Sequence, residues 1–281
     1  MFGSSGIFVR TLTQHGIDQS TLLFLRFSIA IIPILIAILL TDRKLFRIEL
    51  SDLPLFLVCS ICIIGLNLCY NESMNTVPLS LAAVLLSLAP IYVLIIAYFL
   101  FGEKITTKKL ICMILAIFGC ILMTGVLETD IKSVPLFGIL SGVGAGLFWA
   151  FYLMASKKSI EMGNHTYTIL FYSIIFITIA LVPFTDFGQI SNFISINPVS
   201  TVLFLILHST FSFALPYILS TLSLNYMDSG VSSILLSGAE PLAALIFGLI
   251  LYSEIPTALM LFGFILTVIA MMLLSRKESL D

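Results

Sequence analysis

Nine apolar runs, each about as long as a bilayer crossing, occupy most of this 281-residue chain: 21–41, 53–73, 78–101, 107–127, 135–156, 165–185, 200–226, 229–253 and 256–275. A helix needs roughly 20 apolar residues to cross a hydrocarbon core about 30 Å thick. Soluble domains carry about a quarter charged residues. Here 59% of residues are hydrophobic and 10% are charged, too few to coat a globule of this size with solvated groups. That excludes a water-soluble enzyme or binding domain. It also excludes a disordered chain, which needs low hydrophobicity and high charge. The expected fold is an all-α polytopic membrane protein in the lipid bilayer. A tenth run, from Met1 to about Thr13, is only half a span. Ten spans would take roughly 200 residues, which leaves no room for a second, soluble domain. Pro33, Pro90, Pro183, Pro216 and Pro241 fall inside or at the start of spans, where neighbouring helices re-satisfy the freed backbone groups.

Short loops rich in Lys and Arg stay in the cytoplasm. Arg43, Lys44, Arg47, Lys104, Lys108, Lys109, Lys157, Lys158, Arg276 and Lys277 all fall on one side, against Lys132 on the other. The C-terminus is therefore expected in the cytoplasm. The net charge of −2 carries little information, and no basic block points to nucleic acid. The N-terminus shows no signal-peptide pattern. All five cysteines lie inside apolar runs. The Cys59-x-x-Cys62 pair lacks further ligands at a suitable spacing, so these thiols read as small hydrophobes. Neither a metal nor a cofactor is expected.

An internal repeat appears at an offset of 151 residues. Leu85 to Pro90 aligns with Leu236 to Pro241, and ten identities fall between 85 and 115 and their partners. They include Leu94/Leu245, Ile95/Ile246, Glu103/Glu254, Thr106/Thr257, Leu110/Leu261 and Ile114/Ile265. The specific part is the spacing from proline to glutamate, thirteen residues in both copies. With five spans per copy, an odd number, the halves 1–127 and 135–275 must be inverted. Such repeats are a recurring transporter architecture, with the substrate site near the midplane. Matching Arg10 to Lys157 and Arg26 to Ser173 sets Met1 opposite Phe148. The first of ten helices is then expected to be truncated by about thirteen residues, rising about 20 Å rather than 30 Å.

Several motifs resemble the drug/metabolite transporter superfamily in its EamA-type ten-helix branch. They are Phe2-Gly-Ser-Ser-Gly6, Leu25-Arg-Phe27, and two proline-then-glutamate helix pairs, Ala89-Pro90 to Gly102-Glu103 and Glu240-Pro241 to Ser253-Glu254. The resemblance covers nearly the whole chain. It implies a secondary transporter, most often a metabolite or amino-acid exporter of the bacterial inner membrane, with a small-molecule substrate. It also implies that the first helix lines the central cavity.

Ionisable groups at membrane depth are costly, and their default reading is functional. Glu240 lies eleven residues into its run, near the midplane. It would suit proton coupling or a substrate amine; the alternative is a protonated side chain patching the Pro241 kink. Arg26 lies about 9 Å in, at 1.5 Å per residue. Snorkelling explains it, while an inward guanidinium would suit a substrate carboxylate. His208 falls mid-span, as a packing or a pathway residue. Asn67, Tyr70, Trp149, Tyr152 and Tyr217 are candidates to line an amphiphilic cavity, against a role as interfacial aromatics. Gly138, Gly142 and Gly146 recur every four residues, which allows close helix approach. Pro90 and Pro241, with Glu103 and Glu254 at mirrored turns, are gating or capping candidates.

Alternating-access transport of small metabolites, amino acids or their relatives, in the export direction, is the leading expectation, with protons as the coupling ion. No Walker sequence suggests an ATP-driven pump. An enzyme is not expected: there is no His-Glu-x-x-His pair, and every Asp lies at or beyond span ends. The alternative is a non-transporting membrane protein or truncated pseudo-transporter.

Overall fold

The computed structural model describes residues 16–128, 135–252 and 256–275. The first apolar run up to His15, Lys132, Glu254, Arg276 and Lys277 lie outside the described residues. All the regular elements among the described residues are helices, without strands. The helices are α1 (Gln19–Thr41), α2 (Leu53–Thr76), α3 (Leu79–Leu86), α4 (Ala89–Phe101), α5 (Thr107–Met123) and α6 (Leu136–Glu161). They continue as α7 (Thr166–Leu181), α8 (Phe187–Ile196), α9 (Pro198–Ser209), α10 (Leu215–Ser223), α11 (Ser229–Tyr252) and α12 (Ala258–Ser275). Seven crossings among the described residues are long and apolar enough to span a membrane: α1, α2, α3 with α4, α6, α7 with its 3-10 extension, α9 with α10, and α12. With α5, of 17 residues, and α11, of 24, they account for the nine apolar runs.

Side-chain oxygens close the helix starts. Asp18 accepts from the Thr21 N–H, Thr106 from Lys109 and Asn197 from Ser200. These bonds satisfy N–H groups that a helix leaves orphaned. Gly102 ends α4 in the left-handed conformation at φ 64°, which glycine adopts without a Cβ penalty.

Three details depart from uninterrupted spans. The run 78–101 breaks at Ser87–Leu88, just ahead of Pro90. The run 200–226 contains a π turn over Thr210–Ala214, where the Leu215 N–H donates to the Thr210 carbonyl. Pro216 follows, and its ring would clash with the carbonyl four residues back in a regular helix. Between the runs ending at 185 and starting at 200 lies a short helix, α8, started by Asp186, which accepts from Gly188 and Gln189.

The chain forms two compact units, and each takes helices from both sequence halves. One runs to Ile61 and again from Lys158 to Leu222. In it, α1 packs against α7, α9 and the π turn. Ser60 donates to the Ser173 carbonyl, and Tyr172 to that of Phe46. Phe27, Ile34, Ile38 and Ile169 fill its core.

The other unit holds Cys62–Lys157 and the chain from Ser223 onward. Here α5 lies directly on α12, and α11 packs against α4, α5 and α12. The α5–α12 crossing has no space for side chains. A Cβ on Gly263 would sit 2.7 Å from the Gly119 carbonyl oxygen and 2.7 Å from Leu122 Cβ. The glycines of α6 meet α2 and α3 in the same unit: a Cβ on Gly142 would sit 2.6 Å from Leu85 Cδ1, and one on Gly138 would strike Thr76 and Val77.

Charge ties the α4–α5 turn to α11. The Glu103 carboxylate accepts from Lys157 Nζ at 2.6 Å and from the N–H groups of Ser229 at 2.9 Å and Gly230 at 3.2 Å. A carboxylate is well placed at the positive end of a helix. Lys109 Nζ reaches Asp228 at 2.7 Å and the Lys104 carbonyl at 3.0 Å. Burial alone would raise the Glu103 pKa; the Lys157 ammonium and the two backbone donors outweigh it and hold the carboxyl below its ordinary range. Every one of these partners lies within one compact unit, so the tie is internal to that unit.

Two outcomes follow from this packing. Gly263→Ala should destabilise the protein by about 2 kcal/mol, because backbone must move to admit the methyl. Gly144→Ala, whose Cβ would find only Cys69 Sγ at 3.6 Å, should leave the melting temperature in detergent unchanged. Glu103→Gln should cost about 2 kcal/mol at neutral pH. A carboxyl whose folded pKa is lowered stabilises above its unfolded pKa and loses that as pH falls through the folded value. The gap between wild type and Glu103→Gln should therefore close as pH drops below about 4, read as converging melting temperatures.

Candidate functional site

Two polar clusters lie among the apolar side chains, one in each compact unit. The first is built around Glu240, next to Pro241 in the middle of α11. Glu240 is partly buried. Tyr70 of α2 and Cys120 of α5 stand within electrostatic reach of its carboxyl. The Cys120 thiol is hydrogen-bonded to Ser87 at the α3–α4 break, and Ser87 Oγ donates to the Val84 carbonyl at 2.7 Å. Four elements thus bring a carboxyl, a phenol, a thiol and a hydroxyl together. The break at Ser87 comes from Pro90, which has no N–H to continue the ladder. Ser87 and Cys120 were not among the sequence candidates. The available signal for Ser87 was its place three residues before Pro90, inside the repeated motif.

Trp149 and Tyr152, on α6 in the same unit, stack with ring centroids 5.4 Å apart. Both are buried. Asn67 on α2 donates from Nδ2 to the Ile63 carbonyl one turn back. The α6 glycines that precede Trp149 let α6 approach α2 and α3 closely, which is how a helix carrying bulky aromatics still packs tightly at its other end.

The second cluster lies in the other unit. Arg26 of α1 donates from Nε to His208 Nε2 of α9 at 3.3 Å. Tyr217 of α10 is within electrostatic reach of the guanidinium. All three are nearly inaccessible: Arg26 is 6% exposed, His208 1% and Tyr217 1%. An aromatic ladder surrounds them: Phe27 meets Phe213 edge-on with centroids 4.8 Å apart, and Phe213 meets Tyr217 at 4.3 Å. Arg26 therefore does not snorkel to the interface; it turns inward. Sequence distance hid this grouping, since 182 residues separate Arg26 from His208.

The structure thus joins Glu240 with Tyr70, Arg26 with His208 and Tyr217, and Trp149 with Tyr152. Pro90 and Pro241 stand beside the first cluster. Among the described residues no group of three or more His, Cys, Asp or Glu could hold a metal.

The profile of the EamA-like transporter family matches residues 1–125 and 136–276. An uncharacterized transporter of Archaeoglobus fulgidus is 28% identical over 198 residues, 69% of this chain and 66% of that one. One of Clostridium kluyveri is 27% identical over 183 residues, 62% and 58% of the two chains. The chain spans less than two thirds of the length of these two relatives. The threonine/homoserine exporter RhtA of Escherichia coli is 29% identical over 252 residues, 88% of this chain and 79% of that one. A crystal structure matches 98% of this chain and 92% of its own with a TM-score of 0.78; at 15% identity that likeness concerns the fold alone. With two matched segments that together take in nearly all of its length, and with helices that cross the membrane several times, this chain belongs to the EamA-like transporter family.

Proposed function

We propose that this protein is a secondary transporter that exports small amino-acid-like metabolites across the bacterial cytoplasmic membrane by alternating access. The observation that carries the reading is the likeness to the threonine/homoserine exporter RhtA along 88% of the chain. The repeat supports the alternating-access part: thirteen residues separate proline from glutamate in both halves, 1–127 and 135–275, and inverted halves supply two equivalent gates. The lysine and arginine asymmetry supports a cytoplasmic C-terminus.

The Glu240 cluster supports protons as the coupling ion. A carboxyl at membrane depth, with a phenol and a thiol within electrostatic reach, can carry a proton in one half of the cycle and release it in the other. The chain's own groups then hold and move the charge without a cofactor.

The test is transport in proteoliposomes. Wild type should exchange labelled L-threonine in counterflow, and a pH gradient should accelerate net uptake. Glu240→Gln should abolish that acceleration and leave counterflow intact. Loss of both would place Glu240 in substrate binding or in the fold, and acceleration that survives the substitution would remove it from coupling. A wild type that exchanges neither amino acids nor related metabolites would favour a membrane protein that does not transport.

A further inference from the structure

We propose that the turn after α1 is a binding site for an acidic phospholipid, whose phosphate is held by Arg43, Lys44 and Arg47. The site depends on α1 crossing the membrane, and not on the transporter reading or on the side that the turn faces.

The backbone of this turn is held on α7. α1 ends at Thr41, and Arg43–Phe46 form one turn of 3-10 helix. Asp42 starts it by accepting from the Lys44 N–H at 2.8 Å, and the Arg47 N–H closes it on the Lys44 carbonyl at 2.9 Å. From α7, Thr168 donates to the Leu45 carbonyl at 2.9 Å and Tyr172 to the Phe46 carbonyl at 2.6 Å. The Phe46 ring meets Phe171 edge-on, with centroids 5.3 Å apart. Leu45 and Phe46 are half-buried, while Arg43, Lys44 and Arg47 stand exposed. A 3-10 helix has three residues per turn and rises about 2 Å per residue, so Lys44 and Arg47 lie about 6 Å apart along one side. With the backbone fixed, only side chains have to order around a ligand.

Charge and exposure select a lipid. Other basic side chains at the ends of the crossings already hold a carboxylate: Lys109 that of Asp228, Lys157 that of Glu103 and Lys158 that of Glu161. Arg43, Lys44 and Arg47 make no ion pair among the described residues. The loop 42–52 also carries Asp42, Glu49 and Asp52, so its formal charge is zero and a diffuse field does not set it apart. Those acids are engaged within the loop. Asp42 takes the Lys44 N–H, Asp52 takes the Glu49 N–H at 3.2 Å, and Glu49 takes the Ser51 hydroxyl at 3.3 Å. Two leucines flank the cations: Leu40, in the last turn of α1, is 81% exposed, and Leu50 is 84% exposed. Surrounded by water, both would leave their apolar surface wet. At the rim of a bilayer they meet acyl chains, and the cations beside them meet phosphate. A phosphate diester then takes charge-assisted bonds from all three, with the fork of an arginine suited to two of its oxygens.

The experiment takes the full chain in a neutral detergent and reads its melting temperature with added phosphatidylglycerol or, at the same mole fraction, phosphatidylcholine. At about ten times its dissociation constant the acidic lipid should raise the melting temperature by a few degrees; the zwitterionic one should not. Changing Arg43, Lys44 and Arg47 together to Gln should erase that difference and leave melting in detergent alone as in wild type. Lys44→Gln and Arg47→Gln should each weaken phosphatidylglycerol binding about fivefold. Lys104→Gln, which removes an exposed cation from the α4–α5 turn, should leave it unchanged. Inorganic phosphate at the same concentration should not reproduce the rise, since it has no acyl chains for Leu40 and Leu50. Native mass spectrometry counts the phosphatidylglycerol retained on the folded protein and makes the same comparison without reference to stability. A triple variant that retains the lipid as wild type does overturns the site. An equal rise with phosphatidylcholine overturns it too, as does a full rise with inorganic phosphate. A loss in Lys104→Gln as large as in Lys44→Gln would replace the site with diffuse charge. Neither readout involves transport, so failure here leaves the transporter reading standing, and failure of counterflow leaves the lipid site standing.

Discussion

No water enters a hydrocarbon core, so each polar group that crosses it has to be satisfied by the protein itself. Most of the hydroxyls here meet that demand locally. Ser60, Thr178, Ser220 and Thr267 each donate to the carbonyl one turn back on their own helix. Groups that cannot be silenced this way are few, and they are gathered. Glu103 and Lys157 meet at a helix turn, with backbone donors completing the carboxylate. Arg26 meets His208, and Glu240 has Tyr70 and Cys120 within electrostatic reach. The low dielectric that makes an isolated charge expensive also makes each of these gatherings strong.

Helix packing follows the same solvent logic. Lipid tails are as apolar as leucine, so helices gain by close contact rather than by hiding from solvent. At Gly119 and Gly263 two backbones touch. Along α6, glycines at 138 and 142 admit α2 and α3. In the unit built around α1, side-chain bonds to carbonyls do the comparable work, as with Ser60 to Ser173 and Tyr172 to Phe46.

The spans were legible because hydropathy and length are properties of contiguous sequence, and 53–73 or 165–185 need no knowledge of neighbours. The interruptions were less so. Pro90 announced a disturbance, but the break falls at Ser87–Leu88, set by how the preceding turn relieves the ring. The helix α8 was missed since ten residues with Gly, Gln and Asn among them read as a connection; its Asp186 cap was the local signal. Glu240 and Arg26 stood out by charge and depth alone. Which of the other candidates, Tyr70, His208 or Tyr217, comes to which charge did not, because that is fixed by the rotation of a distant helix. Ser87 and Cys120, chemically quiet in sequence, gain meaning only beside a carboxyl.

The π turn between α9 and α10 has a consequence for how the two ends of that crossing are phased. Residues on an α-helix advance by about 100° each, so nine steps from His208 to Tyr217 would set them on opposite faces. A turn closed from Leu215 to Thr210 absorbs one extra residue. The nine steps then count as about eight, and the two side chains come within a quarter turn of each other. The bulge behaves as a stored insertion. Deleting one residue between Thr210 and Ala214 would keep the two faces in phase but press the Pro216 ring against a carbonyl one turn back, whereas the same deletion in α1 or α7 would swing everything beyond it by about 100°. The extra residue thus does two things at once: it makes room for the Pro216 ring and it keeps His208 and Tyr217 in phase.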